Sequence, residues 1–176
     1  MRVVVTGAGN PQGAAIVDAM VEKGYSVRIF GVEADVAARW GDKVQWFPGH
    51  VATVGSIEPV LAEREVLVHA AGLDEPGKDK QAHAFHIERS TLGARYGAER
   101  ELLDQFIHIA PAAGAKGVYQ AIQEGAIQTV QATRRVDAIV VHAREPAATA
   151  AEVISHVENG KHMGRMPGRE NDALVQ

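Results

Sequence analysis

The residues of this chain best suited to chemistry are the glycines among its first thirteen positions. Gly7, Gly9 and Gly13 follow a short β-branched run, and apolar residues recur after them at helical spacing. Glycines let the backbone approach a pyrophosphate closely, and the unpaired N–H groups in the first turn of a helix favour its negative charge. This stretch therefore predicts a phosphate-binding turn between a strand and a helix. The alternative interpretation is a tight connection that binds no ligand.

Histidines supply the groups that could exchange protons near neutral pH. His69 and His142 are expected at strand ends facing one crevice, where either could act as an acid or a base or play a hydrogen-bonded structural role. His83 and His86 are spaced to share a metal on one helical face, but no third ligand stands at a matching spacing. We therefore expect no metal site.

The elements that position these residues begin with a strand–helix–strand unit. Residues 2–5 suit a strand buried on both faces, residues 14–21 carry apolar side chains at helical spacing, and residues 25–30 alternate as a second strand. Such units cross over right-handedly between parallel strands. The predicted fold class is α/β, with a three-layer, Rossmann-type, doubly wound and mostly parallel sheet of about five strands in the order 3-2-1-4-5.

The later elements are predicted from periodicity and from turn residues. Strands are expected at residues 44–47, 65–72 and 137–143, and helices at residues 34–40, 56–63, 97–109, 112–135 and 147–158. Residues 73–95 show no clear period, which predicts a long surface loop over the ligand crevice. Residues 161–176 are expected to be a flexible tail.

Composition limits the classes of function. The chain has 176 residues and no cysteine, which excludes disulfides and thiolate zinc sites. A formal net charge of −4 gives no electrostatic reason for a nucleic-acid or anionic-membrane partner, and no apolar run has the length of a membrane span. We therefore expect a soluble, cytoplasmic protein with a small-molecule substrate, no nucleic-acid partner and no membrane partner.

Two stretches resemble the short-chain dehydrogenase/reductase superfamily, in its extended, NAD-dependent epimerase/dehydratase-like branch. Residues 6–13 resemble its TGxxGxxG turn, with Asn10 at the middle glycine, and residues 66–72 resemble its strand beneath the cofactor's ribose and nicotinamide. Asparagine tolerates a positive φ better than most residues, so the turn can survive this exchange. The resemblance implies an NAD(P)-binding Rossmann-like domain over residues 1–160, with NAD or NADP as cofactor. The cofactor-binding residues that it implies are Gly7, Gly9, Asn10, Gln12, Gly13, Glu33, His50, Val51, Ala70, Ala71 and Gly72.

The tip of the second predicted strand does not choose clearly between the two cofactors. A carboxylate there binds the ribose hydroxyls of NAD, and Glu33 favours that choice, whereas the nearby Arg28 and Arg39 would suit the extra phosphate of NADP. His50 stands where the superfamily usually has an aspartate that contacts adenine.

The resemblance also implies catalytic machinery, which this chain matches poorly. The superfamily uses a tyrosine as acid/base, a lysine four residues later, and a serine or threonine at the end of the fifth strand. The predicted fifth strand instead ends in Ala143-Arg144, and the pair most similar to the tyrosine and lysine is Tyr96 with Arg100. With His69, these two are the catalytic candidates.

The expected function is that of a reduced or degenerate member of this superfamily. It would be an NAD(P)-binding protein, either an oxidoreductase or epimerase acting on a carbonyl or sugar-nucleotide substrate. The alternative is a non-catalytic nucleotide-binding regulatory or scaffold protein that lacks the tyrosine–lysine pair. If the protein self-associates, we expect a homodimer.

Overall fold

One parallel sheet of six strands organises the chain, in the order β3-β2-β1-β4-β5-β6. The computed structural model describes residues 1–53, 55–73, 79–112, 114 and 118–163. The strands are β1 (Arg2–Thr6), β2 (Ser26–Phe30), β3 (Val44–Phe47), β4 (Val66–His69), β5 (Gln105–Ala110) and β6 (Asp137–His142). The predicted α/β fold class and the order of its first four strands are confirmed, and the sheet has one strand more than expected.

Helices cover both faces of this sheet. They are α1 (Pro11–Glu22), α2 (Ala34–Ala37), α3 (Glu58–Leu61), α4 (Lys80–Arg100), α5 (Val118–Gln131) and α6 (Pro146–Met163). One apolar core joins α1 and α6 to the sheet, and a second joins α3, α4 and α5 to its other face. Parallel strands buried on both faces need such a double cover, so the chain forms three layers. No helix in the described residues has both the length and the apolar character to cross a membrane.

The prediction of a helix over residues 97–109 is wrong beyond Arg100, because α4 ends there and β5 occupies residues 105–109. Leu102 adopts a φ of +51°, which breaks the helical path just after α4 ends, and its side chain is exposed. All six residues of β5 are buried, so the strand lacks the alternation that would mark one exposed face. A short run of this kind cannot be distinguished from a buried helix segment by periodicity.

The prediction of a surface loop over residues 73–95 is also wrong from residue 80 onwards. Residues 80–100 form α4, a helix of 21 residues, which Asp79 caps by accepting a hydrogen bond from the N–H of Ala82. Its buried face consists mainly of small and hydroxyl residues, which carry little apolar signal. The buried residues of α4 are Ile87, Ser90, Thr91, Ala94, Gly97 and Ala98. Residues 74–78 of the predicted loop lie outside the described residues.

The last helix runs past Gly160, where the sequence had predicted its end. A Cβ on Gly160 would lie 2.0 Å from the side-chain amide nitrogen of Gln105, so this glycine allows α6 to pack closely on β5. The same amide donates a hydrogen bond to the carbonyl of His156. From residue 164 on, the predicted tail lies outside the described residues. The predicted helices 34–40, 56–63 and 112–135 are shorter in the structure, where they correspond to α2, α3 and α5.

Candidate functional site

The turn between β1 and α1 is built on two glycines that leave no room for a side chain. Gly7 has a φ of +76°, and a Cβ there would lie 2.5 Å from the carbonyl carbon of Ala70. A Cβ on Gly13 would lie 2.1 Å from the carbonyl oxygen of Gly7. Gly13 and Ala70 therefore lie beneath the turn and hold it against the end of β4. These two predicted cofactor residues therefore support the turn and do not line the crevice.

Asn10 caps α1 and ties it to β4. Its side-chain oxygen accepts the N–H of Gly13 at 2.9 Å, and its amide donates to the carbonyl of Ala70 at 2.7 Å. Its φ is −92°, so the turn does not use the positive φ that would favour glycine. The side chain is buried and directed inward. It therefore strengthens the turn and does not project over it.

Gly9 is the open glycine of the turn. A Cβ there would have Val32 Cγ1 as its nearest neighbour, at 3.9 Å, in an ordinary contact. Within the described part of the chain, the backbone N–H groups of Gly9 and Gln12 donate no hydrogen bond. These donors and the dipole of α1 make the surface beside Gly9 favourable for an anion.

A crevice of about 220 Å³ opens from this turn along the carboxyl ends of the strands. Its lining residues are Gly7, Gly9, Asn10, Gly31, Val32, His50, Val51, Ala71, Gly72 and His86. Seven of the predicted cofactor-binding residues are thus brought together. In open α/β sheets, ligands bind at this place, where the strand order reverses between β1 and β4.

Sequence reasoning missed three residues of this lining. Gly31 and Val32 follow β2 directly, at the position where the cofactor-selecting residue was sought. His86 was missed because α4 was predicted as a loop. A test of small residues for helical spacing would have revealed that helix and the inward direction of His86.

Besides Gly13 and Ala70, which lie beneath the turn, two predicted cofactor residues lie outside the lining. Gln12 uses its side-chain amide to donate a hydrogen bond to the carbonyl of Arg144, at 2.7 Å. Glu33 is exposed immediately before α2 and makes no capping hydrogen bond with its side chain. The exposed carboxylate of Glu33 could therefore extend the site beyond Val32.

The two arginines considered for NADP are engaged elsewhere. Arg28 donates hydrogen bonds to the carbonyls of Val60 and Ala62. Arg39 forms an ion pair with Asp18 at 2.5 Å. Neither guanidinium is directed to the tip of β2 as a free phosphate ligand.

His69 ends β4 as predicted, but its side chain is buried and does not face the crevice. Its Nδ1 lies 2.7 Å from the hydroxyl of Thr6, and its ring stacks on that of His108 with centroids 5.6 Å apart. Burial, then the neighbouring His108 and His86, hold the pKa of His69 well below its ordinary value. It is therefore a neutral residue of the interior. His142, the other strand-end histidine, is exposed, and its Nδ1 lies 3.0 Å from the carbonyl of Pro111.

Tyr96 and Arg100 lie on α4, away from the crevice. Tyr96 is 57% exposed and lines a separate groove beside the loop before α3. Arg100 pairs with Glu58 at 3.3 Å. The structure therefore does not bring this pair to the predicted cofactor site.

The sixth strand changes where a tyrosine–lysine pair should be sought. Since β5 is the fifth strand, the helix that follows it is α5, which carries Tyr119 near its start and Gln123 four residues later. The amide of Gln123 donates a hydrogen bond to the carbonyl of Gly72 at the crevice, at 3.2 Å. β5 itself ends in Ala110, which offers no hydroxyl. The position of the lysine thus holds a neutral amide.

The histidine pairs form no metal centre among the described residues. This part of the chain contains no group of three histidine, aspartate or glutamate side chains that could hold a metal ion. His86 instead meets His50 edge to face, with ring centroids 5.1 Å apart.

No protein-family model matches the sequence, and no curated protein sequence matches it either. Solved structures do resemble the fold. An oxidoreductase, ylbE, from Lactococcus lactis superimposes with a TM-score of 0.72 at 10% identity, over 94% of this chain and 88% of that one. A protein of Aeromonas hydrophila assigned to the short chain dehydrogenase/reductase family gives 0.70 at 17% identity, over 88% of this chain and 90% of that one.

A third similar structure is the enzyme WbmH of Bordetella bronchiseptica in complex with NAD+. It has a TM-score of 0.68 at 13% identity, over 80% of this chain and 55% of that one. This chain thus spans about half the length of WbmH. At these identities the likeness concerns the backbone, and the chain has the Rossmann-type α/β fold that these dehydrogenase, reductase and NAD-binding structures share.

Proposed function

We propose that this protein binds NAD along the crevice, with the diphosphate at the N-terminus of α1. The observation that carries the proposal is the open face of Gly9, where backbone N–H donors meet space for a ligand. Gly31, Val32 and Val51 would accommodate the adenosine half, and Ala71 and Gly72 the nicotinamide half. The complex of WbmH with NAD+ supports the choice of cofactor class.

The choice of NAD over NADP rests on charge at the tip of β2. Glu33 offers a carboxylate for the ribose hydroxyls, and that carboxylate would repel a 2′-phosphate. Arg28 and Arg39 are already bound to other groups. The tip of β2 therefore has an acceptor for hydroxyls and lacks a free cation among the described residues.

Calorimetric titration with NAD, NADH, NADP and NADPH tests this proposal directly. We expect the two unphosphorylated forms to bind more tightly, and Glu33→Gln to weaken NAD binding about tenfold, because a charge-assisted hydrogen bond is lost. Asp42→Asn, which alters an exposed carboxylate just before β3, is the matched control and should leave the affinity unchanged. Binding of NADP in preference to NAD would contradict the assignment of Glu33.

The chemistry that fits the fold neighbours is that of an oxidoreductase or epimerase acting on a carbonyl or sugar-nucleotide substrate. A bound nicotinamide cofactor would supply hydride transfer for such a reaction, and this chain would orient cofactor and substrate. By its position in the sequence, on the helix after the fifth strand, Tyr119 is the residue that we propose holds or moves a proton. An unperturbed phenol is a poor base at neutral pH, and Gln123 supplies no positive charge of the kind that a lysine would provide.

A second candidate function is cofactor binding without turnover, as a regulatory or scaffold protein. The observation that favours it is the hydrogen bond from Gln123 to Gly72, which gives that position a structural task. Absorbance of reduced nicotinamide, followed with carbonyl and sugar-nucleotide panels, separates the two. Turnover that disappears in Tyr119→Phe supports the enzyme, and tight NADH binding with no oxidation supports the binder.

We also propose that a second copy of the chain packs on the outer face of α4. Phe85 and Tyr96 are 59% and 57% exposed on this helix, and Arg89 lies over the ring of Phe85. Large exposed aromatic side chains on one helix are typical of an interface. A homodimer would bury both.

Light scattering coupled to size exclusion should therefore give the mass of a dimer. Phe85→Asp is expected to raise the dimer Kd at least about tenfold, because it would bury a charge in the interface. Leu102→Asp is the control, since Leu102 is similarly exposed but lies beyond the end of α4. A wild-type monomer, or equal effects of both substitutions, would refute the proposed interface.

A further inference from the structure

We propose that His86, which lies beside His50 in the crevice, binds the phosphate-bearing part of the cofactor and takes up a proton as it does so. This inference rests on the proposed binding of NAD in the same crevice. Both imidazoles line that crevice with Gly7 and Gly9. Their ring centroids are 5.1 Å apart and their planes are nearly perpendicular.

The packing of α4 fixes His86 in this place. Gly93 lies two turns after His86, and a Cβ there would come within 2.7 Å of the carbonyl oxygen of Val51. A Cβ on Gly72 would come within 2.7 Å of Cγ1 of Ile87. The helix is thus in close contact with the chain on both sides of the crevice. His86 is held at the lining by backbone packing, which leaves its ring available to a ligand.

Among the described residues, the ionisable groups whose charges act on His86 are the imidazoles of His50, in the loop after β3, and His83, on α4 itself. His86 in turn acts on the buried His69 of β4. Burial lowers the pKa of His86, and His50 and His83 lower it further. His86 is therefore neutral at pH 7 in the free protein.

A bound dinucleotide should raise the pKa of His86, because its diphosphate carries negative charge. An opposite charge within hydrogen-bonding range favours the protonated imidazole and raises its pKa. The N–H donors of Gly9 and Gln12 would contact the same anion from the turn. By linkage, a group that gains a proton on binding makes binding tighter as the pH falls. Affinity should therefore increase from pH 8 to pH 6, through the interval between the bound and free pKa values of His86.

Calorimetry with NADH in two buffers of different ionisation enthalpy, PIPES and Bis-Tris, measures the proton directly. We expect uptake of a fraction of a proton at pH 6.5, and a Kd about fivefold lower at pH 6 than at pH 8. ADP-ribose, which carries the same diphosphate, should show the same uptake. Adenosine, which lacks it, should show none.

Variants assign the proton to this residue. His86→Gln keeps hydrogen-bonding capacity but cannot titrate, so it should lose both the uptake and the pH dependence. His156→Gln, at a half-buried position of α6 that does not line the crevice, is the control and should behave as the wild type. Thermal melting by circular dichroism verifies that both variants fold. The imidazole resonances of His86 in the wild-type protein provide a second measurement, in which NADH should raise its pKa.

The outcomes separate this inference from the proposed function. Binding of NADH with equal heats in both buffers, or uptake that persists in His86→Gln, would overturn the role of His86 and leave NAD binding intact. Equal uptake with adenosine would overturn the role of the diphosphate. A protein that binds no dinucleotide at any pH would overturn both proposals together.

Discussion

Replacing Gly9 with aspartate is expected to abolish NAD binding while leaving the protein folded. The new side chain would have only an ordinary contact with Val32 nearby, so the backbone need not move. It would place a carboxylate beside the N–H donors of the turn, where the diphosphate is proposed to lie. The repulsion and the lost space should raise the Kd for NAD at least about 100-fold, or about 2.7 kcal/mol.

Gly125→Asp is the matched control for this experiment, because it adds the same charge at an exposed glycine of α5 with no neighbour within 4 Å. Calorimetry should show wild-type affinity for this variant, and circular dichroism should show helical content in both. Gly7 and Gly13 cannot serve in place of Gly9, since an added Cβ at either would meet backbone atoms and disturb folding itself. Retention of NAD binding by a folded Gly9→Asp protein would refute the proposed diphosphate position.

The turn at Gly7 and Gly13 illustrates what the sequence could predict. Its glycines stand between a β-branched run and a helical period, and both signals are local, so the strand, the turn and the helix follow from neighbouring residues. The small residues Ala70 to Gly72 were matched to the superfamily's strand by resemblance. The expected order of the sheet near the crevice came with that resemblance, and the structure confirms it.

The elements that escaped prediction are those whose burial depends on distant partners. Ser90, Thr91 and Gly97 lie on the inner face of α4. They are buried because other elements pack on them, and not because they are apolar. β5 contains Gln105 and His108, two polar residues that the sheet and its helices enclose completely. Tertiary packing decides such cases, and single-sequence periodicity does not contain it.

These two errors account for the misplaced catalytic candidates. Without β5, the helix after the fifth strand could not be recognised, so Tyr96 was considered in place of Tyr119. Because α4 was not predicted, nothing in the sequence placed the side chain of His86 at the crevice. The glycines of the crevice were found because backbone geometry demands them, whereas the side chains that line it depend on which helix crosses the strand ends.

Acid should destabilise this protein strongly, and the buried His108 is one of the two interior histidines, with His69, that contribute to this loss. Its ring is buried, and both ring nitrogens lack a hydrogen-bond partner in the described structure. Burial, with a smaller effect of His142, lowers its pKa from 6.5 to about 4. The unfolded chain therefore binds this proton first, so the stabilising contribution is complete above pH 6.5 and is lost as the pH falls to 4. The corresponding loss in the free energy of unfolding is about 3 kcal/mol.

His108→Leu is expected to remove this dependence. Leucine is close in volume and leaves no buried nitrogen unsatisfied, so the free energy of unfolding at pH 7 should rise by about 1 kcal/mol. Urea unfolding at pH 7, 5.5 and 4 should show a curve flatter by about 3 kcal/mol than that of the wild type. His156→Leu, at a half-buried histidine of α6, should keep the wild-type slope. Parallel loss of stability in wild type and His108→Leu would show that folding does not lower the pKa of His108. The acid sensitivity would then lie with His69 or another group.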